Sequence, residues 1–256
     1  MIRFFQKLGR SSLDYLQGMG HMFIFLVSTI IHIFKPPFRP YNLLKQIHFI
    51  GIRSLFVIVL TAAFAGMVLG LQGYYTLSRF GSEGLLGPAV ALSIIRELGP
   101  VLSALMVTGR AGSALTAELG IMRIREQMDA LETMGIHPLK SLLAPRVEAG
   151  LIVLPLLNVI FDVIGIFGGY LVAVHLLGLS SGTYFGGIEN AVEVKDIQVG
   201  LIKSLCFGML ITWVCTYKGY FTQRGAEGVS QATTSAVVTS SVLVLVFDYF
   251  ITSVML

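Results

Sequence analysis

Apolar residues occur in long uninterrupted runs, and this pattern is the strongest structural signal in the chain. A helix of ~20 apolar residues crosses the ~30 Å hydrocarbon core of a bilayer. Five runs are long enough, and their approximate limits are Leu55–Tyr75, Gly87–Gly109, Gly150–Leu177, Ile197–Tyr217 and Ser235–Leu256. A backbone in lipid must satisfy its own hydrogen bonds, which favours helices. The pattern therefore predicts an all-α integral membrane protein with five transmembrane helices.

A shorter apolar run, Met22–Phe34, lies before the first predicted span. It is too short to cross the hydrocarbon core, so we expect an amphipathic helix in the membrane interface or a re-entrant elbow. No small-residue cleavage site follows it, and we do not expect a cleaved signal peptide. The predicted organisation is one domain, with an interfacial region at 1–45 and a transmembrane core at 50–256.

The charged residues predict an orientation for these spans. Only 12% of the residues are charged, about half the usual share of a soluble domain. Fourteen of the 18 lysines and arginines fall on one side of the predicted spans. Positive residues accumulate on the cytoplasmic side of membrane proteins. We therefore expect a cytoplasmic N-terminus and, after five spans, a C-terminus on the outer side.

The longest predicted cytoplasmic connection, Ala111–Pro145, contains an amphipathic pattern. Its apolar residues recur every three or four positions, which predicts a helix of about three or four turns. These residues are Ile121, Ile124, Met128, Leu131 and Met134. Periodicity alone leaves two interpretations open: a helix resting on the membrane surface, or a docking element for a cytoplasmic partner.

Two adjacent charges, Arg96 and Glu97, lie inside the second predicted span and are followed by Gly99 and Pro100. Counting from Gly87 places Arg96 ~13 Å below the outer boundary, near the midplane. Ionisable groups inside a span are costly, and they are candidates for a functional site. The alternatives are structural charges neutralised by neighbouring helices, or a polar gate or headgroup site in a central cavity.

Other polar and glycine positions carry weaker predictions. Lys203 and Asp248 fall at similar depth on neighbouring antiparallel spans, which predicts a structural ion pair. Asp162, in the third span, has no partner that the sequence identifies. Glycines spaced four apart, at 66 and 70 and at 165 and 169, allow close helix approach, and we expect packing within the chain rather than a subunit interface.

Several kinds of chemistry find no support in the sequence. No GxxxxGK[ST] phosphate loop occurs, and the histidines and cysteines lack metal-ligand spacing. We expect no catalytic residue, no metal site, no cofactor and no nucleic-acid binding in this chain. If the protein uses ATP, a separate partner chain must bind and hydrolyse it with Mg²⁺.

Ordered motifs through most of the chain point to a known family. They are GMVLGLQG at 66–73, RELGPV at 96–101, GRAGSALTAE at 109–118, EQMDALETMG at 126–135 with Pro138, and the pair Pro145-Arg146. From about Tyr41 onward the chain resembles the MlaE (YrbE) permeases of bacterial ABC-type lipid transporters. Several ordered blocks at matching spacing make the resemblance specific.

The resemblance implies partners that periodicity could not indicate. It implies a homodimer in the bacterial inner membrane, a cytoplasmic ABC ATPase with a STAS-domain subunit, and a hexameric MCE-domain protein on the periplasmic side. The ATPase is expected to dock on a coupling helix between spans 2 and 3, here Glu126, Gln127, Met128, Leu131 and Met134. The implied substrate is glycerophospholipid moved between the inner and outer membranes of Gram-negative bacteria, which maintains outer-membrane asymmetry.

The resemblance also implies a lipid cavity lined by the first, second and fifth spans of the dimer. The residues expected to line it are Leu69, Thr76, Leu77, Phe80, Arg96 and Glu97. The first four recur at roughly helical spacing, so one stripe could face an acyl chain or pack on another helix. Two rival functions stay open: a secondary transporter with Glu97 or Asp162 as proton relay, and a non-transporting scaffold for an ATPase and an MCE protein.

Overall fold

The computed structural model of the chain describes residues 2–33 and 40–255, with side-chain surroundings from Gln17 onward. Helices make up nearly all of these residues and no strand occurs among them, so the predicted all-α class is confirmed. The α-helices are α1 (Ile2–Ile33), α2 (Pro40–Ile50), α3 (Leu55–Ser78), α4 (Leu86–Ser93), α5 (Gly99–Val107), α6 (Ser113–Ile124), α7 (Gln127–Thr133), α8 (Ala144–Tyr170), α9 (Ser181–Ala191), α10 (Val194–Tyr220) and α11 (Ala226–Met255).

Five helical segments of the described residues are long and apolar enough to cross a membrane, as predicted. Spans 1 to 5 are Pro40–Ser78, Glu83–Ile124, Leu139–Leu176, Val194–Tyr220 and Ala226–Met255. Most of their limits lie beyond the predicted ones because the helices continue past the apolar runs, but span 3 ends at Leu176, one residue before its predicted end. Two predicted limits, Phe34 of the interfacial run and Leu256 of the fifth span, lie outside the described residues.

Span 2 departs most from its predicted end at Gly109. Its helix continues to Ile124 through two wider π-helical turns, Ile94–Leu98 and Thr108–Gly112. Arg110, expected just beyond the span, stays in the helix because its charge has partners. Its Nη1 donates to the Phe49 carbonyl at 2.6 Å, and the guanidinium lies 5.2 Å from the Phe49 ring.

The glycine pairs predicted to allow close approach lie opposite one another, on α3 and α8. A Cβ on Gly66 would collide with the Gly165 carbonyl oxygen, and a Cβ on Gly70 would lie 3.0 Å from the Gly169 oxygen. Only glycine admits this separation of the two backbones. The contact brings the two helices together within the chain.

A second close approach joins α8 to α10. A Cβ on Gly208 would collide with the Gly150 carbonyl oxygen, and a Cβ on Gly150 would collide with Thr212. The α8 helix continues through Pro155 without ending. Together the two glycine contacts place α8 between α3 and α10 at the centre of the molecule.

Helix α1 packs on α10 through its apolar end. Trp213 Nε1 donates to the Met22 carbonyl at 3.0 Å, and the buried Phe25 ring lies 5.4 Å from the Tyr217 ring. Other apolar residues of α1, including Phe23 and Ile24, stay exposed. A helix with one packed side and one exposed apolar side fits the interfacial position predicted for it, which stays a prediction.

Helix α9 is anchored by one buried aromatic residue between spans 2 and 3. The Tyr184 hydroxyl donates to the Ile166 carbonyl at 3.1 Å, and no part of the side chain is exposed. Burial raises the pKa of this hydroxyl, so it remains a protonated donor. The anchor holds the α9–α10 connection beside the site described next.

Candidate functional site

The π-helical turn Ile94–Leu98 presents Arg96 and Glu97, and the local sequence explains why the helix widens there. Gly99 N donates to the Ile94 carbonyl, one residue further back than in an α-helix. Pro100 has no N–H to donate to the Arg96 carbonyl, which weakens the regular ladder at the same place. π-Bulges of this kind frequently occur at functional sites.

Arg96 is paired with Asp196 at the start of α10. The Arg96 Nε and Nη2 atoms lie 2.7 and 2.6 Å from Asp196 Oδ1. Asp196 also accepts from the Glu193 backbone N–H at 3.0 Å, while the Glu193 side chain accepts from the Asp196 N–H, a reciprocal capping box. The cap therefore fixes the carboxylate that holds Arg96. Sequence reasoning missed Asp196, because the usual capping-box signal has Ser or Thr at the N-cap, where this chain has Glu193.

Glu97 belongs to a cluster of three charges. Lys203 Nζ lies 2.6 Å from Glu97 Oε2 and 2.9 Å from Asp248 Oδ1. The second contact is an ion pair without hydrogen-bond geometry, so Asp248 Oδ1 has no hydrogen-bond donor. Thr252 donates weakly to Glu97 Oε1 at 3.3 Å. Lys203 and Asp248 are thus adjacent, as expected, but Glu97 is the closer partner of Lys203 and was not expected there.

A cavity of about 150 Å³ opens beside these groups. It is lined by Arg96, Glu97, Ala191, Glu193, Lys195, Asp196, Val199, Thr252 and Met255. The Arg96 and Glu97 side chains are 39% and 41% exposed, whereas Lys203 is completely buried. Each of the two charges is thus paired with a group on a neighbouring helix, and each also faces open space. A headgroup site in this cavity stays a prediction.

Arg96 and Glu97 lie near the ends of two neighbouring helices. Arg96 lies opposite the first turn of α10, and Glu97 contacts Thr252 in the last turn of α11. The pair is therefore level with the ends of spans 4 and 5. The depth of the pair in a bilayer, predicted by counting along span 2, stays a prediction.

The predicted lipid stripe on α3 does not join Arg96 and Glu97 in this cavity. Leu69 and Leu77 are half-buried against the core. Thr76 is exposed, and its hydroxyl donates to the Gln72 carbonyl at 2.9 Å. Phe80 is 78% exposed and lies beyond the end of α3, in the turn that follows Ser78. Phe80 therefore does not lie on the predicted helical stripe, because α3 ends two residues earlier.

Asp162, left without a partner by the sequence, lies behind the π-helical turn. Asn158 Nδ2 donates to Asp162 Oδ2 at 3.2 Å, and the Oδ1 atoms of both residues have no hydrogen-bond partner. A Cβ on Gly99 would collide with Asp162 Oδ1. The two polar side chains therefore pack against the glycine that closes the widened turn.

The predicted coupling helix is corrected in length. Helix α6 ends at Ile124, and Glu126 adopts a left-handed conformation (φ 56°) that breaks the helix before α7 begins at Gln127. The continuous amphipathic period spanned this break, so it predicted one helix where there are two. Helix α7 has seven residues, and Met134 lies just beyond it.

Within this region only part of the predicted apolar face is buried. Met128 is fully buried and Leu131 is half-buried, whereas Glu126, Gln127 and Met134 are exposed. Arg123 Nη1 contacts Asp129 Oδ1 at 2.7 Å and ties α6 to α7. Helix α7 is thus packed against the rest of the chain on one side and exposed on the other.

An ion pair also joins α6 to α8. Arg146, only 3% exposed, contacts Glu118 Oε1 at 3.0 Å and donates to the Leu142 carbonyl at 2.7 Å. Among the described residues, no group of three or more His, Cys, Asp or Glu side chains could hold a metal ion.

Fold and site together define a multi-pass α-helical membrane protein with a charged cavity at one end of its helices. Residues 43–254 match the family described as "Permease MlaE". The chain belongs to the MlaE permease family.

Curated relatives agree with this assignment. The "Intermembrane phospholipid transport system permease protein MlaE" of Haemophilus influenzae is 43% identical, covering 100% of this chain and 98% of the relative. A "Probable ABC transporter permease protein" of Rickettsia bellii is 44% identical over 96% and 95% of the two chains. "Protein TRIGALACTOSYLDIACYLGLYCEROL 1, chloroplastic" of Arabidopsis thaliana is 35% identical over 88% of this chain and 64% of its own length.

Proposed function

We propose that this chain is the permease subunit of an ABC transporter that moves glycerophospholipids between the inner and outer membranes of a Gram-negative bacterium. The single observation that carries the proposal is the Arg96–Glu97 pair, held by buried charges on neighbouring helices yet open to a cavity. A polar site at the end of apolar helices suits an amphiphile. The names of the relatives, which mention phospholipid transport and ABC permeases, agree with it. The resulting role is maintenance of outer-membrane lipid asymmetry.

The active form in this proposal is a homodimer. In an apolar 18-residue stretch of each span, 11% of the residues are buried within the chain in span 5 and 28% in span 1, against 67% in span 4. Lipid can cover such faces, and so can a second copy. We place the second copy along spans 1 and 5, so that Leu69, Thr76, Leu77 and Phe80 of both copies enclose the acyl chains.

The energy for transport comes from a partner in this proposal. A cytoplasmic ABC ATPase, with its STAS-domain subunit, binds ATP and Mg²⁺ and docks on the open side of α7. The Arg123–Asp129 contact passes its motion to α6 and hence to span 2. The cavity beside Arg96 and Glu97 then narrows and lipid passes to a hexameric MCE-domain protein. This orientation puts the N-terminus in the cytoplasm and the C-terminus in the periplasm, following the distribution of cations.

Alanine replacement of Leu77 and of Glu97 tests the proposal in the reconstituted transporter. We expect each variant to lose most of its photo-cross-linking to phospholipid and its lipid-stimulated ATP hydrolysis. Val163→Ala is the matched control, because Val163 is 61% exposed on α8 and does not line the cavity. Unchanged cross-linking and coupling in both variants would contradict the proposal and favour a scaffold. Uptake driven by a pH gradient without the ATPase would instead favour a secondary transporter.

A further inference from the structure

We propose that the cavity at Arg96 and Glu97 selects phospholipids whose headgroup carries an amine as well as a phosphate, over anionic phospholipids without an amine. The inference rests on the proposed function, since it requires that a phospholipid enters this site. The charges that line the cavity indicate the class of headgroup.

The Lys203 cluster has one positive charge for two negative charges. Lys203 contacts the carboxylates of Glu97 and Asp248, and the described residues supply no other cation to either of them. Lys203 is completely buried, so water does not reach its side chain. A negative charge left over inside a membrane protein is costly. The cluster is therefore short of one cation.

Glu97 is the place where that cation can be supplied. Its side chain is 41% exposed, twice the 20% of Asp248, and it lines the cavity. Its Oε1 atom has only the weak contact from Thr252 at 3.3 Å. A headgroup ammonium at this oxygen would balance the cluster and make a charge-assisted hydrogen bond, which is stronger than a neutral one.

Arg96 and Lys195 supply the complementary partner for the phosphate. The Nε and Nη2 atoms of Arg96 are directed at Asp196, whereas its Nη1 makes no hydrogen bond or ion pair with the described residues. Lys195 lines the same cavity and is exposed. A guanidinium with a free donor and an ammonium beside it form a phosphate site.

The two partners lie side by side, as the two charges of a zwitterionic headgroup do. Arg96 and Glu97 are consecutive residues of the π-helical turn, so their free atoms open on one small cavity. Phosphatidylethanolamine can satisfy both at once. Phosphatidylglycerol can satisfy Arg96 and Lys195 but leaves the negative charge of Glu97 uncompensated. A proton on Glu97 or Asp248 would remove this difference, and the experiment detects that case.

The test uses the full chain with its co-purifying partners in nanodiscs of equal phosphatidylethanolamine and phosphatidylglycerol. Lipids retained after detergent exchange are quantified by mass spectrometry. We expect the wild type to enrich phosphatidylethanolamine about tenfold, the effect of one charge-assisted hydrogen bond of about 1.4 kcal/mol. Glu97→Gln should lower the ratio about tenfold toward that of the bilayer. This variant should fold, because Lys203 then balances Asp248 alone.

Two further variants make the result specific. Lys195→Gln should lower total retained lipid without changing the ratio, because both lipids carry the phosphate. Glu83→Gln, at the same end of span 2 but outside the cavity, should change neither quantity. Equal amounts of the two lipids retained by the wild type would overturn the inference, and so would a ratio of the two that Glu97→Gln leaves unchanged. A protonated carboxylate in the cluster would produce these results. Absence of any retained lipid would instead overturn the proposed function.

Discussion

Helices α10 and α11 share the Lys203–Asp248 contact but are buried to very different extents. In an apolar 18-residue stretch of α10, 67% of the residues are buried, against 11% in the corresponding stretch of α11. The difference follows from the residues. Helix α10 carries glycines at 200 and 208 that let backbones of span 2 and α8 approach closely. Helix α11 presents Val238, Val242, Leu245 and Val246 outward.

The two helices therefore have different roles. Helix α10 is a packing centre whose side chains hold the charged site in place. Helix α11 leaves an apolar outer face exposed by the chain. We expect lipid or a second copy to cover this face. Changes in α10 should therefore lower the stability of the folded chain. Changes on the outer face of α11 should leave stability intact and affect lipid handling or assembly.

The largest expected effect is that of Lys203→Met on α10. Removing the ammonium leaves two carboxylates without a counter-ion beside a buried apolar group. Breaking a buried ion pair in this way costs about 3–5 kcal/mol. We expect a large loss of folded protein and of thermal stability, measured by unfolding of the purified chain in lipid nanodiscs.

Asp248→Asn on α11 is the matched control for that prediction. It leaves Lys203 paired one-to-one with Glu97, so its effect should be much smaller. The triple variant with Lys203→Met, Glu97→Gln and Asp248→Asn should recover part of the lost stability. Equal losses for Lys203→Met and Asp248→Asn would contradict the account of the cluster.

An intermediate effect is expected for Gly208→Ala. A methyl group there would collide with the Gly150 carbonyl oxygen, and overpacking of this kind typically costs about 1–3 kcal/mol. Gly109→Ala is the control, since nothing lies within 4 Å of a Cβ at that position. Unfolding of both variants in nanodiscs checks the prediction. A Gly208→Ala protein as stable as the control would show that α8 and α10 can separate without cost.

The general fold was predictable because long apolar runs have few physical solutions in a bilayer. The five crossings and the helical class followed from run length, and the assignment to the MlaE permeases followed from motif order. Helix limits were less predictable. Arg110 looked like the end of a span, yet it stays in the helix through its contact with the Phe49 carbonyl. Such partners are distant in sequence and leave no local pattern.

The charged site was predictable in its members more than in its pairing. Span depth alone put Lys203 and Asp248 together, but the widened turn at Ile94–Leu98 directs Glu97 to the same lysine. A periodicity of regular helices cannot anticipate that turn. The break at Glu126 was missed for a similar reason, since a positive φ at a non-glycine residue has no hydrophobic signature.

The smallest expected effects concern two valines of α11. Val244 is fully buried, whereas Val242 is 53% exposed. Val244→Ala should lower stability by about 1 kcal/mol through lost packing contacts. Val242→Ala should change it by less than about 0.5 kcal/mol. Thermal unfolding of both proteins in the same lipid checks the contrast, and equal losses would mean that the outer face of α11 packs within the chain.

The central claim is that this chain is a permease whose charged cavity receives phospholipid with the help of an ATPase. The most direct measurement is mild purification of the full chain from its native membrane, with identification of every co-purifying protein and lipid by mass spectrometry. We predict phospholipid, an ABC ATPase subunit and an MCE-domain protein, with the lipid lost on Glu97→Ala. Recovery of the chain without an ATPase, or with the same lipid content after Glu97→Ala, would contradict the account.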